Sequence, residues 1–87
     1  MPYRIEYSSD AEGHLLTLTA RQRRLVFDAA DRQLVHQPTV ETRNRKPMRP
    51  NPVAPWELRI GNLRVYYDVT NEPDSVVVIL AVGVKER

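Results

Sequence analysis

The chain has 87 residues, 41% hydrophobic and 28% charged, a mixture that suits one small folded domain and excludes a disordered tract. It contains no cysteine, which removes disulfide frameworks, thiolate nucleophiles and cysteine-bound zinc. Thirteen Lys+Arg against eleven Asp+Glu give a net charge of +2, and eleven of those cations are Arg, whose planar donor fork suits phosphate better than Lys does. An anionic partner, nucleic acid first, accounts for that excess; a GC-rich coding sequence would produce the same bias. The longest apolar run, Val76 to Val82, is too short to cross a bilayer, and Met1–Glu6 lacks the apolar core of a secretion signal. The expectation is a cytoplasmic domain with no membrane partner.

Tyr3-Arg4-Ile5-Glu6-Tyr7 alternates as a half-buried strand does. Ser9 and Glu12 have capping-box spacing and open a first helix to about Leu18, with Ala11, Leu15 and Leu18 on one face. Thr19 and Gln22 repeat the signal and start a second helix. Its stripe is Val26, Ala30 and Leu34, widened by Phe27 and Ala29, and it ends near Gln37 because Pro38 cannot continue it. Residues 38–55 hold five of the seven prolines together with Arg43, Arg45, Lys46 and Arg49. Such a stiff basic segment reads as an arm along a phosphate backbone, or as a solvated connection. Three strands follow, around Trp56–Ile60, Leu63–Val69 and Ser75–Lys85. A type II′ turn at Gly61-Asn62 joins the first two and a looser turn at Asn71–Asp74 the last two. The order β-α-α-β-β-β defines an α+β fold of two layers, a helical pair on one face of a mainly antiparallel sheet.

With Gly61-Asn62 as the turn, Ile60 lies opposite Leu63, Arg59 opposite Arg64, Leu58 opposite Val65 and Glu57 opposite Tyr66. Continued across the second turn, this register sets Arg64 beside Ala81, with Gly83 and Lys85 on the same face. Ala81 and Gly83 leave a shallow floor, and Lys85 stands at its rim. Trp56, Leu58, Ile60, Val65, Tyr67, Val78, Leu80 and Val82 form the core parity, and Tyr3, Tyr7 and Phe27 read as core too. Opposed arginines repel unless an anion sits between them. A patch of Glu57, Arg59, Arg64, Tyr66 and Lys85 holds what phosphodiester transfer to a ribose 2′-hydroxyl requires: cations for the phosphate, a proton acceptor, a proton donor and a ring for a base. It is also what a solvated sheet face with one neutralising glutamate would look like. His14 and His36 lie on the predicted helices, away from this face, and read as surface or capping groups. No metal site and no cofactor is expected.

The stretch Pro55-Trp56-Glu57-Leu58-Arg59-Ile60-Gly61-Asn62-Leu63-Arg64-Val65-Tyr66-Tyr67-Asp68-Val69, with the closing Val82-Gly83-Val84-Lys85-Glu86-Arg87, resembles the RelE/ParE toxin superfamily. The leading strand, the helical pair and the Pro-rich basic loop extend the resemblance over nearly the whole chain. It implies the toxin of a bacterial type II toxin–antitoxin operon. Many such toxins cleave messenger RNA in the ribosomal A site without a metal, through 2′-hydroxyl attack, and others bind DNA gyrase; a purely regulatory member is a third possibility.

By this resemblance Arg64 falls on the arginine that binds the scissile phosphate. Lys85 falls at or beside a basic position that stabilises the transition state or protonates the leaving oxygen. Arg59 falls where RelE proper has a lysine that activates the nucleophile. Glu57 takes the place of a second lysine and is the candidate general base, as a glutamate is in other ribonuclease branches. Arg43, Arg45, Lys46, Arg49 and Tyr66 would contact RNA. The implied partners are a cognate acidic antitoxin, which would wrap the domain with a helix or strand and neutralise Arg59, Arg64 or Lys85, mRNA on the ribosome, and operator DNA reached through the antitoxin.

Overall fold

Two helices pack on one face of a sheet, and the turns and caps encoded locally explain most of the boundaries. The computed structural model describes residues 2–48 and 54–85, so Arg49 lies outside the described residues. The elements run β1 (Arg4–Tyr7), α1 (Ser9–Leu16), α2 (Ala20–Gln33), β2 (Arg45–Pro47), β3 (Trp56–Ile60), β4 (Leu63–Thr70) and β5 (Val76–Val84). The five strands form one sheet in the order β1-β5-β4-β3-β2, parallel between β1 and β5 and antiparallel elsewhere. No described helix is long and apolar enough to cross a membrane.

The α2 cap forms as expected, with the Thr19 side chain and the Gln22 side chain each bonded to the other's backbone N–H. In α1 the cap is Ser8, one residue earlier than expected: its Oγ accepts from the Ala11 N–H at 3.1 Å. The helix ends at Leu16, and α2 ends at Gln33 with Leu34 as its cap, four residues short of the expected end. His36 therefore lies beyond the helix. The buried helix stripe is Ala11, Leu15 and Leu18, then Val26, Ala29, Ala30 and Leu34. Its alanines let α2 approach the sheet closely, and each fully buried Leu or Val contributes about 1.5–3 kcal/mol. Phe27 is 40% exposed and sets its ring edge-on to Tyr7 with centroids 5.4 Å apart. One residue on from Val26, it is turned about 100° around the helix from the stripe's centre, which corrects its assignment to the core.

The hairpin pairs as predicted, Arg59 with Arg64 and Glu57 with Tyr66. Gly61 has φ 59° and no described non-glycine residue has positive φ, the signature of a type II′ turn. The β4–β5 register differs from expectation. A bulge between Tyr66 and Tyr67 places one extra residue, Leu80, in β5, so that Arg64 pairs with Gly83 and Tyr66 with Ala81. Val77 and Ile79 point into the core before the bulge and Val82 after it. Val78 and Leu80, expected in the core, instead line a shallow hollow with Asp68, Val69 and Thr70 on the far side of the sheet.

The second difference is β2. Residues Arg45–Pro47 pair with β3, Arg45 opposite Leu58 and Lys46 opposite Glu57. Leu58 faces the core, and so does Arg45: it is 8% exposed, with Nη1 donating to the Gln33 carbonyl at 2.7 Å and Nε to the Val40 carbonyl at 2.9 Å. Its guanidinium satisfies carbonyls that would otherwise be buried without a donor. Arg45 is thus a structural staple between the α2 exit and β2, which corrects its assignment as an RNA contact. The Tyr67 hydroxyl adds a second staple by donating to the Pro38 carbonyl.

Arg45→Met keeps the apolar stem and removes both donated bonds. It should destabilise the domain by about 3–6 kcal/mol, since bonds from a charged donor contribute about 1.5–3 kcal/mol each. The melting temperature should fall by roughly 10 °C or more. Lys46→Met, at a partly exposed position, should change it by a few degrees at most, and calorimetry on the two variants compares them directly.

Candidate nucleic-acid interface

The face of the sheet turned away from the helices is organised in rows by the strand register. Glu57 and Tyr66 share one row with Ala81, and Lys46 flanks Glu57 on β2. The next row holds Arg59, Arg64 and Gly83. Lys85 follows immediately after β5, its N–H bonded to the Asn62 carbonyl at 2.7 Å. Because Arg64 pairs with Gly83, Lys85 lies one row from Arg64, about 6.6–6.8 Å along the strand, where the expected register had put it two rows away. Glu57, Arg59, Arg64, Tyr66 and Lys85 do come together on one face.

The opposed arginines are kept apart by different acceptors. Arg59 Nε donates to Glu57 Oε1 at 2.7 Å. Arg64 folds back on its own turn, with Nη1 donating to the Gly61 carbonyl at 2.7 Å and the Leu63 carbonyl at 2.9 Å. Glu57 is 8% exposed although it lies on the outer face, covered by its cross-strand neighbours Lys46 and Tyr66. Tyr66 lies directly across the strand pair from the same carboxylate. Partial burial, and then the negative charge of Glu57, raise the Tyr66 pKa above the usual phenol value, so the hydroxyl stays a donor.

The basic arm contributes less than its sequence suggests. Arg43 is exposed, and Lys46 is partly exposed and paired with Glu41 at 3.5 Å. Arg45 is internal, as described above. Glu41 was not anticipated as a partner, because only the β2–β3 pairing fixes where Lys46 emerges. His14 takes no part in the face. Its Nδ1 accepts from the Val82 N–H at 3.2 Å, capping the edge of β5 that β1 leaves unpaired.

An α+β domain with two helices on one face of this sheet, and a cationic hairpin on the other, has the architecture of RelE proteins. No family model and no curated protein matches the sequence, but solved structures do. The chain is similar to a chain of the RelBE2 toxin–antitoxin complex from Mycobacterium tuberculosis, with TM-score 0.82 and 28% identity over 98% of this chain and 100% of that one. The isolated E. coli RelE toxin matches with TM-score 0.77 and 22% identity, over 98% of this chain and 86% of that one. A chain of the archaeal RelE–RelB complex from Pyrococcus horikoshii matches with TM-score 0.74 and 23% identity, over 100% and 99% of the two chains. The chain belongs to the RelE superfamily.

Arg64→Ala removes a partly exposed cation opposite Arg59 and no core area, so the melting temperature should stay the same or rise. Glu57→Ala strips Arg59 of its carboxylate acceptor and leaves a hole at a nearly buried position, so it should lower it. Denaturation of both variants beside the parent chain checks the pair.

Proposed function

We propose that the protein is the toxin of a type II toxin–antitoxin module and acts as a ribosome-dependent, metal-independent mRNA endoribonuclease. The observation that carries this reading is the pairing of Arg59 with Arg64 across the hairpin, with Lys85 one row further on and a carboxylate at 2.7 Å from Arg59. Cations flanking one acceptor site favour the doubly charged phosphorane-like transition state over the singly charged phosphodiester. The solved neighbours named as RelE toxins and RelBE complexes support the same class.

In this mechanism Arg64 leaves the Gly61 and Leu63 carbonyls and binds the scissile phosphate. Glu57 accepts the 2′-hydroxyl proton as the 2′ oxygen attacks phosphorus, while Arg59, bonded to it at 2.7 Å, holds the carboxylate in place. The bond from phosphorus to the 5′ oxygen breaks, and Lys85 supplies a proton to that oxygen. The products are a 2′,3′-cyclic phosphate and a 5′-hydroxyl. Arg43, Lys46, Arg49 and Tyr66 serve as further contacts to the RNA strand. An acidic antitoxin encoded beside the toxin blocks this face, and operator DNA is reached through that antitoxin.

The test is a cell-free translation extract with the message analysed by primer extension. The purified chain should stop translation and cut the message, in EDTA as well as without it, and Arg64→Ala should abolish both effects while folding normally. Intact message together with blocked gyrase supercoiling would favour the gyrase-binding alternative, and inactivity in both assays a purely regulatory protein.

Affinity for ribosomes or RNA should fall steeply with salt, because released counterions drive phosphate binding. The double variant Arg43→Gln, Lys46→Gln should flatten the slope of log affinity against log salt by about 1–2 units. An unchanged slope would make residues 38–48 a plain connection. Co-expression with the neighbouring open reading frame should yield a complex whose melting temperature rises with the logarithm of partner concentration. A chain that is harmless alone and captures no such partner would refute the toxin assignment.

A further inference from the structure

The turn between β3 and β4 could be closed in either of two ways without changing the hairpin register. A two-residue loop takes type II′, with Gly in first place, or type I′, for which Asn-Gly is the preferred order. The two types differ by a flip of the peptide that joins the central residues. This chain has Gly61 before Asn62, with φ 59° at Gly61 and no positive φ at Asn62, so the turn is type II′. A Cβ at Gly61 would meet nothing within 4 Å; the backbone conformation, and not space, calls for the glycine. The order of these residues therefore decides on which side of the hairpin the Gly61 carbonyl emerges.

It emerges where Arg64 takes it up: Nη1 donates to the Gly61 carbonyl at 2.7 Å and to the Leu63 carbonyl at 2.9 Å. The Asn62 carbonyl between them accepts the Lys85 N–H at 2.7 Å. Successive carbonyls of one turn thus hold both Arg64 and Lys85. The competing acceptor for Arg64 is Glu57, its diagonal neighbour across the strand pair. Diagonal neighbours stand about 7–8 Å apart, within the reach of a long side chain. The charges of Glu57 and Arg64 both act on the Tyr66 hydroxyl, which places them in one neighbourhood. A carboxylate is the stronger acceptor for a guanidinium, yet Glu57 is bonded to Arg59 and Arg64 to the turn.

We propose that Gly61 is a positioning residue for Arg64: its outward carbonyl parks the guanidinium on the turn and keeps it off Glu57. This role rests on Arg64 binding phosphate, as in the reading above, and adds what keeps the site open before phosphate arrives. From neutral carbonyls Arg64 exchanges readily to a charged oxygen, because the new bonds are the stronger ones. From Glu57 it would have to leave a nearly buried carboxylate, a charged partner for a charged partner, with no such gain. Glu57 would also lie clamped between two guanidinium groups, its oxygens taken up and closed to a ribose proton. An Asn-Gly turn would close the hairpin equally well but turn the carbonyl at position 61 the other way. The Gly-Asn order thus has a reason in the site that hairpin closure alone does not supply.

The experiment exchanges the two turn residues in the full chain, Gly61→Asn together with Asn62→Gly, which flips the peptide between them and leaves the hairpin closed. Inorganic phosphate is the probe, and the Arg64 side-chain N–H resonance, identified by its loss in Arg64→Ala, reports binding. In the parent chain that resonance should shift with phosphate and saturate. The exchanged chain should melt within a few degrees of the parent and bind phosphate about tenfold more weakly, the difference between a charged and a neutral acceptor for one bond. Glu57→Gln should bring the exchanged chain to within about twofold of Glu57→Gln in the parent turn, because the amide no longer competes for Arg64. A hairpin that had merely loosened would not recover on a second substitution. Asn62→Gly alone, which allows the peptide either orientation, should give a smaller loss with the same rescue, and it repeats the test should the exchanged chain melt early. Parental affinity in the exchanged chain, or a loss that Glu57→Gln leaves in place, would overturn the parking role and leave Arg64 as the phosphate ligand. A parent chain whose Arg64 resonance ignores phosphate would overturn both.

Discussion

The extra residue in β5 decides what each side of the sheet presents. In a strand without it, Val77, Ile79, Ala81 and Gly83 would share one face, and Val78, Leu80 and Val82 the other. The core would then receive two small residues where it needs bulk, and the hairpin's cations would lie on a hydrophobic floor. With Leu80 as the bulged residue, Val82 returns to the core beside Val77 and Ile79, and Ala81 and Gly83 turn outward beneath Tyr66 and Arg64. A bulge leaves backbone groups loose, and here the chain's first turn collects them. Ser8 donates its N–H to the Ile79 carbonyl at 2.9 Å and its hydroxyl to the Leu80 carbonyl at 3.2 Å, while His14 accepts the Val82 N–H. The same Ser8 hydroxyl caps α1. The end of β1, the start of α1 and the bulge therefore hold each other in place, and the outer face inherits its register from them.

Local signals sufficed for the helical pair and the hairpin because each is specified within a few residues. Thr19 and Gln22 define a cap by spacing alone, and Gly61-Asn62 between alternating strands fixes which residues face each other. The bulge was not legible, since Val76 to Val82 is apolar throughout and a run without alternation carries no parity to count from. Its position depends on where β1 stops and α1 begins, which is tertiary information. Arg45 misled for a related reason. In sequence it is one of several cations among prolines; its inward direction follows only once β2 pairs with β3 and sets it opposite Leu58. The outer-face cluster was legible in membership, because the β3–β4 hairpin carries most of it, and illegible in the spacing of Lys85, which depends on β5.

The two opposed arginines are unequal. Arg59 is bound to a carboxylate that is itself nearly buried, so moving it away would leave an unpaired charge in a poorly solvated place. Arg64 donates instead to two carbonyls of an exposed turn, and water can replace it there at little cost. An arriving anion therefore meets one cation that is fixed and one that is free to reorient. Exchange of carbonyl acceptors for a charged oxygen strengthens the Arg64 bonds, because bonds between ionised partners are roughly twice as strong as neutral ones. The repulsion between the guanidinium groups falls at the same time, since the anion now lies between them. A face so arranged is stable when empty and gains most from a ligand whose charge rises between Arg59 and Arg64. In the reaction proposed above, this arrangement would favour stabilisation of a transition state over tight binding of the ground state, and the inequality follows from which of the two arginines has Glu57 as its neighbour.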